Sequence, residues 1–413
     1  MDEELIDLLG EDVMAILSED SDENLDVQPE AVSSEEVEIE EVMDDEALEE
    51  EPDDEDDGAV IMAKRKKMPR WRKIALITVS TLLILLLLLG IAAVWYVNYL
   101  LDQVGQYDPS NDTLLDQGQV DDILDKDPDL EVIHPDEDLP NIEDFEPTPD
   151  IQPIEKQDNV VNILVVGQDT RQAGIRARSD TMILITIHKD SKKVTLTSFM
   201  RDAYVKIPGY ASHKMNHSFQ YGGLKLLNET MLVNYGVKVD GNVIIDFSAF
   251  QSVIDMLGGV DIRLTEKEAV YLRNGCKHDV QPGMNRLYGA AALDYARLHE
   301  IDSDYQRTSR QRTVIQSLIE RYKNLPVTEM LAMLDDILPL IVTDLSKNKI
   351  VDFVMTYGPV AASATVHNQQ IPQDGTFNQG FVQVRPGLKN WFQYNIDFVQ
   401  NRKILEDIMH GRN

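Results

Sequence analysis

The 413-residue chain has one cysteine, Cys276, so no disulfide can form within it and no cluster of thiols is available for zinc. Its eight histidines stand in no Ser-His-Asp arrangement, and it has no glycine-rich phosphate loop. Serine-hydrolase and nucleotide-dependent chemistries are poor readings for that reason, and no nucleic-acid partner is expected. Two stretches lack charge of one sign or of both. Residues 1–57 hold 28 carboxylates without a lysine or arginine, and residues 74–101 hold no charged side chain at all. Between Ser18 and Gly58 there is also no aromatic residue. Such a segment cannot bury enough apolar surface to offset its chain entropy and is expected to be disordered.

The net charge of -35 is distributed very unevenly. Residues 97–158 add 19 carboxylates against Lys126 and Lys156, whereas from Val160 onward 29 basic residues slightly exceed 26 acidic ones. The part expected to fold is therefore mildly basic and suited to an anion. Lys64, Arg65, Lys66, Lys67, Arg70, Arg72 and Lys73 precede the apolar run. At about 1.5 Å per residue, roughly 24 helical residues reach about 36 Å, enough to cross a hydrocarbon core of about 30 Å. The run is too long for a cleaved signal peptide and reads as a lasting anchor. Because the basic block lies on its N-terminal side, the positive-inside tendency puts the N-terminus in the cytoplasm and the later residues outside.

The expected organisation is an acidic cytoplasmic arm (1–63), with a short apolar set at 2–17 as a docking helix, and a basic juxtamembrane block (64–73). A transmembrane helix (74–101) and an acidic, proline-containing, self-repelling stalk (102–158) follow. A folded domain (159–345) and a C-terminal extension (346–413) complete the chain.

In the domain, Asn162-Ile163-Leu164-Val165-Val166 is a doubly buried strand pattern ending at Gly167, followed by the polar turn from Gln168 to Asp180. Thr181–Ile187 and Val194–Phe199 are two further strands joined by a hairpin, and Arg201-Asp202 closes the third. Three charged corners are thereby expected at one end of one sheet. Two carboxylates beside several arginines suit a divalent metal holding a phosphate. Helices are expected over 224–235, 247–257, 289–298 and 304–324, with strands near 243–245 and 260–264. The alternation predicts a layered α/β/α domain around a mixed sheet. Taken alone, Arg307, Arg310 and Arg312 at i, i+3 and i+5 read as a solvated basic face.

The ordered set Asn162-Ile163-Leu164, Gly167, Asp169, Arg178-Ser179-Asp180-Thr181, Arg201-Asp202, Lys214-Met215-Asn216, Tyr221-Gly222-Gly223, Gly258-Gly259-Val260-Asp261 and Tyr295-Ala296-Arg297, then Asp304, Arg307, Arg310 and Gln311, resembles the LytR-CpsA-Psr family of bacterial cell-wall enzymes. The resemblance implies transfer of a phosphoglycan from a polyprenyl pyrophosphate carrier to peptidoglycan. It implies Mg²⁺ on Asp169 and Asp180, catalytic roles for Arg201, Arg307 and Arg310, and substrate contacts from Arg178, Arg297 and Gln311. Implied partners are the lipid-linked glycan, the peptidoglycan acceptor and membrane lipid, with the acidic arm free to recruit a cytoplasmic protein. A different reading is a catalytically weak scaffold or regulator of envelope synthesis. Two positions depart from the pattern: Met200 stands where proline is common, and His299 where many members carry a second arginine. For the prenyl tail, the stripe Phe247, Phe250, Ile254 and Leu257 offers candidates that equally suit an ordinary core.

Overall fold

A computed structural model describes residues 70–149, 151–168, 176–299 and 301–412. The acidic arm, the basic block up to residue 69 and Asp169 fall outside these residues. Helix α1, Arg70–Gln103, contains Thr78–Gln103 with mean hydropathy 2.5; Leu82, Leu83 and the leucines from 85 to 89 are open to the surroundings, whereas Leu100 and Leu101 at its end are buried. By length and composition it fits a single-pass membrane anchor.

The apolar runs of the domain form a seven-stranded mixed sheet in the order β1-β11-β8-β3-β4-β5-β12. Its centre is the trio β3 (Val160–Gln168), β4 (Ser179–His188) and β5 (Lys193–Phe199), antiparallel in sequence order. Strand β8 (Gly241–Asp246) lies parallel to β3 on one side, and β12 (Thr365–Ile371) parallel to β5 on the other. The strip is completed by β11 (Val342–Thr343) and β1 (Gly105–Gln106), the strand that continues from α1.

Because side chains alternate along each strand, the sheet has two buried faces. Leu164, Val166, Met182, Leu184 and Phe199 face α3 (Met215–Tyr235), α10 (Phe398–Met409) and α2 (Gln117–Asp125). Ile183, Ile185, Val194 and Leu196 face α7 (Asp304–Lys323) and α9 (Lys347–Ser363). A second cluster gathers α4 (Phe247–Met256), α5 (Glu266–Asn274) and α6 (Gly289–Arg297) with α7 around the antiparallel pair β9 (Val260–Leu264) and β10 (Gly283–Leu287). This is the layered α/β/α arrangement that the alternation predicts.

Residues 102–158 are not a free stalk. Asp116 and Gln119 form a reciprocal cap on α2, and Val120, Ile142 and Ile154 are buried against the domain. Strand β2 (Glu131–Val132) joins β13 (Asn378–Arg385) and β14 (Leu388–Tyr394) in a small sheet. The carboxylates meet cations far along the chain: Asp125 pairs with Arg385, Glu137 with Lys389 at 2.6 Å, and Asp102 with Lys347. Self-repulsion inferred from local composition is cancelled by charges the local sequence does not contain. A kink in α3 makes room for the segment. At Gly223 (φ 64°) a Cβ would lie 2.3 Å from Asp112 Oδ1, the atom that accepts from the Tyr107 hydroxyl and the Lys225 amide, each at 3.1 Å. The C-terminal residues are likewise integral, since β12 extends the main sheet and Leu405 and Met409 of α10 lie in its core.

Candidate functional site

Register brings the charged corners together. Gln168 at the end of β3 pairs with Ser179 at the start of β4, and Ser198 near the end of β5 pairs with Ile183, so Asp180 and Arg201 share one sheet end. Arg201 Nη1 donates to Asp180 Oδ1 at 3.3 Å, its only hydrogen bond among the described residues. Its Nε lies 3.3 Å from Asp304 Oδ1 and 3.5 Å from Asp202 Oδ2, outside hydrogen-bonding geometry. Burial alone would lower the Arg201 pKa, but Asp304, Asp202, Asp180 and Asp129 outweigh it and hold the pKa above the usual arginine value.

Asp304 opens α7 with the help of a cap, Ser303 accepting from the Gln306 amide. One turn later Arg307, 3% exposed, forks onto Asp304 at 2.6 and 3.1 Å and donates from Nη1 to the Asp180 carbonyl at 3.1 Å. Burial would raise the Asp304 pKa, yet Arg307 and Arg201 bring it down to about 2. Arg178 Nη1 bonds Asp127 at 3.1 Å and Asp129 at 2.9 Å. Buried Lys214 lies 3.0 Å from Asp202 and 3.9 Å from Asp129, and bonds Asn390 at 2.9 Å.

The connected cluster thus contains four cations (Arg178, Arg201, Lys214, Arg307) and five carboxylates (Asp127, Asp129, Asp180, Asp202, Asp304). His217 stands 3.9 Å from Asp127 but adds no charge near neutrality, because burial drives its pKa well down; burial and Lys214 bring its neighbour His213 to about 3. The site is pre-formed but not an open cationic bowl.

Beside it lies an apolar cavity of about 140 Å³, lined by Val165, Gly167, Thr181, Ile245, Phe247, Phe250, Ile315 and Leu318, with Arg297 and Gln311 at its polar edge. The Arg297 guanidinium stacks 4.7 Å from the centre of the Phe247 ring. Charge and cavity adjoin at Asp180–Thr181 on β4 and at Arg307–Gln311 on α7, one helical turn apart. Ile254 and Leu257 do not reach the cavity and are buried.

Arg307, Arg310 and Arg312 are all buried, so they are not a solvated face. Arg310 is also not at the expected place. Its Nε donates to Glu268 at 2.7 Å, Nη1 to the Leu298 carbonyl at 2.8 Å and to Asp302 at 3.1 Å, and Nη2 pairs with Asp302. These contacts tie α7 to α5 and to the loop after α6, and use four of the five N–H groups. The reason is helical geometry: Arg307 and Gln311, four residues apart, share a face, whereas Arg310 is turned about 100° from Gln311. His299 is exposed, with Nδ1 2.9 Å from the Arg297 carbonyl. Asp127 and Asp129, which hold Arg178, are not legible locally, since they lie in one uniformly acidic stretch.

The sequence model of the LytR_cpsA_psr family matches residues 136–393. The regulatory protein MsrR of Staphylococcus aureus (strain Mu50) is 36% identical over 172 residues, 41% of this chain and 51% of that protein. The polyisoprenyl-teichoic acid–peptidoglycan teichoic acid transferase TagT of Bacillus subtilis (strain 168) is 34% identical over 171 residues, 40% and 53% of the two chains. The chain thus spans about half the length of these curated relatives. Among solved structures, TagT bound to LIIa-WTA aligns with a TM-score of 0.51 at 24% identity, over 66% of this chain and 98% of that one. Protein gbs0355 from Streptococcus agalactiae aligns with a TM-score of 0.51 at 22% identity, over 61% and 87%. These two structures speak for the fold alone. With the family match covering more than half its length, the chain belongs to the LytR_cpsA_psr family.

Proposed function

We propose that the protein is a membrane-anchored phosphotransferase that moves a phosphoglycan from a polyprenyl pyrophosphate carrier to peptidoglycan. The observation that carries this reading is the junction of a buried arginine–aspartate cluster with an apolar cavity, the two halves of an amphiphile with an anionic head and a hydrocarbon tail. The relative TagT bears the name of such a transferase.

In the reaction, an acceptor hydroxyl oxygen attacks the glycan-bearing phosphorus, the bridging P–O bond breaks, its electron pair leaves with the prenyl monophosphate, and the hydroxyl proton passes to water. Arg201, which has unused N–H groups, and Arg307, pre-aimed by Asp304, supply positive charge where that pair develops. Arg178, Arg297 and Gln311 border the head group. The scaffold reading is disfavoured by the cost of burying so many charges to no chemical end.

Mg²⁺ suits the donor set. Five carboxylates offset the four cations of the connected cluster, so little net positive charge is left for a pyrophosphate, and a dication would add it. Among the described residues no three His, Cys, Asp or Glu side chains converge on a metal. Mg²⁺ commonly takes only one or two protein carboxylates plus phosphate oxygens and water, and Asp180 with Asp169 would fill that role. The ion would neutralise phosphate charge when bound. By the positive-inside tendency the domain lies outside the cell.

Purified full-length protein in nanodiscs, given lipid-linked glycan and peptidoglycan fragments, is expected to release prenyl monophosphate and a glycan–acceptor conjugate together. Release of free phosphoglycan without conjugate would make it a hydrolase instead. Chelation is expected to lower transfer at least 10-fold and added Mg²⁺ to restore it, with Asp180→Ala insensitive to both. Equal rates with and without chelator would remove the metal.

A further inference from the structure

Helix α8, Val327–Ile337, has no buried residue among those whose burial is described, although Leu331, Leu334 and, just beyond it, Leu338 follow each other at helical spacing. Leu331 is 43% exposed. Glu329 and Asp336 occupy the opposite side of the helix, and Asp335, four residues after Leu331, flanks the stripe. What lies against this stripe is indicated by α1. The Tyr96 hydroxyl donates to the Leu331 carbonyl at 3.3 Å, so α8 runs beside the membrane helix. The 28 uncharged residues 74–101 reach about 42 Å, about 12 Å more than a hydrocarbon core, so roughly four residues project at each end. Tyr96, five residues before the end of this run, then sits near the hydrocarbon boundary. Its ring and that of Trp95 stack on Tyr99 at 6.4 and 6.0 Å, an aromatic cluster of the kind that marks that boundary.

Two further contacts hold this placement. The turn Leu338–Leu340 after α8 packs on β1, and Lys347 at the start of α9 pairs with Asp102 at the end of α1. We infer that α8 is an interfacial helix, its Leu331 side seated in the outer edge of the lipid bilayer. The inference rests on α1 crossing the membrane. It also gives the cavity a direction. Four residues upstream of α8, α7 begins its run back through Leu318, Ile315 and Gln311 to Arg307, 16 residues and about 24 Å from Lys323. A prenyl chain leaving the bilayer beside α8 would follow that helix to the anion cluster.

The test uses the full chain in phosphatidylcholine–phosphatidylglycerol nanodiscs, with Cys276→Ser and a nitroxide at Leu331→Cys, Trp95→Cys or Met284→Cys. Met284 is 59% exposed on β10. The Leu331 label is expected to favour collision with oxygen over a water-soluble nickel chelate, as the Trp95 label does and the Met284 label does not. A Leu331 label that behaves like Met284, or is shielded from both reagents as in a protein contact, overturns the inference. A Trp95 label in water overturns the membrane span itself. Independently, Leu331→Asp is expected to lower transfer from a bilayer-embedded carrier at least 10-fold while sparing a short-chain, water-soluble pyrophosphate; equal loss on both substrates would speak against a lipid role.

Discussion

Arg201→Ala is expected to lower transfer about 100- to 1000-fold, the loss seen when one pre-aimed donor to a developing charge is removed. Arg201 is the cation on which Asp180, Asp202 and Asp304 converge, and among the described residues its side chain spends a single N–H, on Asp180. Its removal has a second signature. Asp304 is held at about 2 by Arg307 and Arg201 against burial, from an ordinary value of 3.8. A carboxylate with a depressed folded pKa contributes stability that is fully present above its unfolded pKa and is lost as pH falls toward the folded one. The stability gap between Arg201→Ala and the parent should therefore be full above about pH 4 and narrow toward pH 2. Arg201→Lys keeps charge but not the fork, and should recover only part of the rate. Single-turnover kinetics beside thermal unfolding across pH checks both, and a folded Arg201→Ala within threefold of the parent rate would sink the assignment.

The strands of this site are legible in the sequence because they are doubly buried. Val160–Gln168, Ser179–His188 and Lys193–Phe199 have almost no alternative as apolar runs between polar turns, and antiparallel order alone then sets Asp180 and Arg201 at one end. Pairing between distant charges is not legible in that way. Residues 102–158 read as self-repelling because cations that pair with them, such as Arg385 with Asp125 and Lys389 with Glu137, arrive some 250 residues later. The stripe Phe247, Phe250, Ile254 and Leu257 has one periodicity but two destinies. Its first half lines a cavity and its second fills a core, according to how α6 and α7 pack over it. The arginines of α7 pose the same problem, since spacing tells which share a face and not what each face meets.

That distinction yields the second large effect. Arg310→Ala is expected to act on stability, not on the chemical step. Arg310 is 5% exposed and spends Nε and both Nη atoms on Glu268, Asp302 and the Leu298 carbonyl. Burial would lower its pKa, but Asp302 and Glu268 raise it, so the cation is firmly held. Truncation leaves Glu268, 7% exposed, as a buried carboxylate without its partner, although the Thr265 amide and hydroxyl still bond it at 2.8 Å. Breaking one side of such a pair costs about 3–5 kcal/mol, which in a folded unit of roughly 310 residues lowers the melting temperature by about 5–8 °C. Replacing both partners with apolar residues of similar volume, Arg310→Met with Glu268→Leu, should recover a good part of that loss, because a buried pair is worth little more than a well-packed hydrophobic contact once desolvation is counted. A residue that grips the pyrophosphate would behave in the opposite way. Its alanine variant would melt like the parent and lose rate, and the apolar double variant would stay inactive. Melting curves and single-turnover rates for the three variants decide between these roles. An unchanged melting temperature with a rate lowered 100-fold would return Arg310 to the catalytic set.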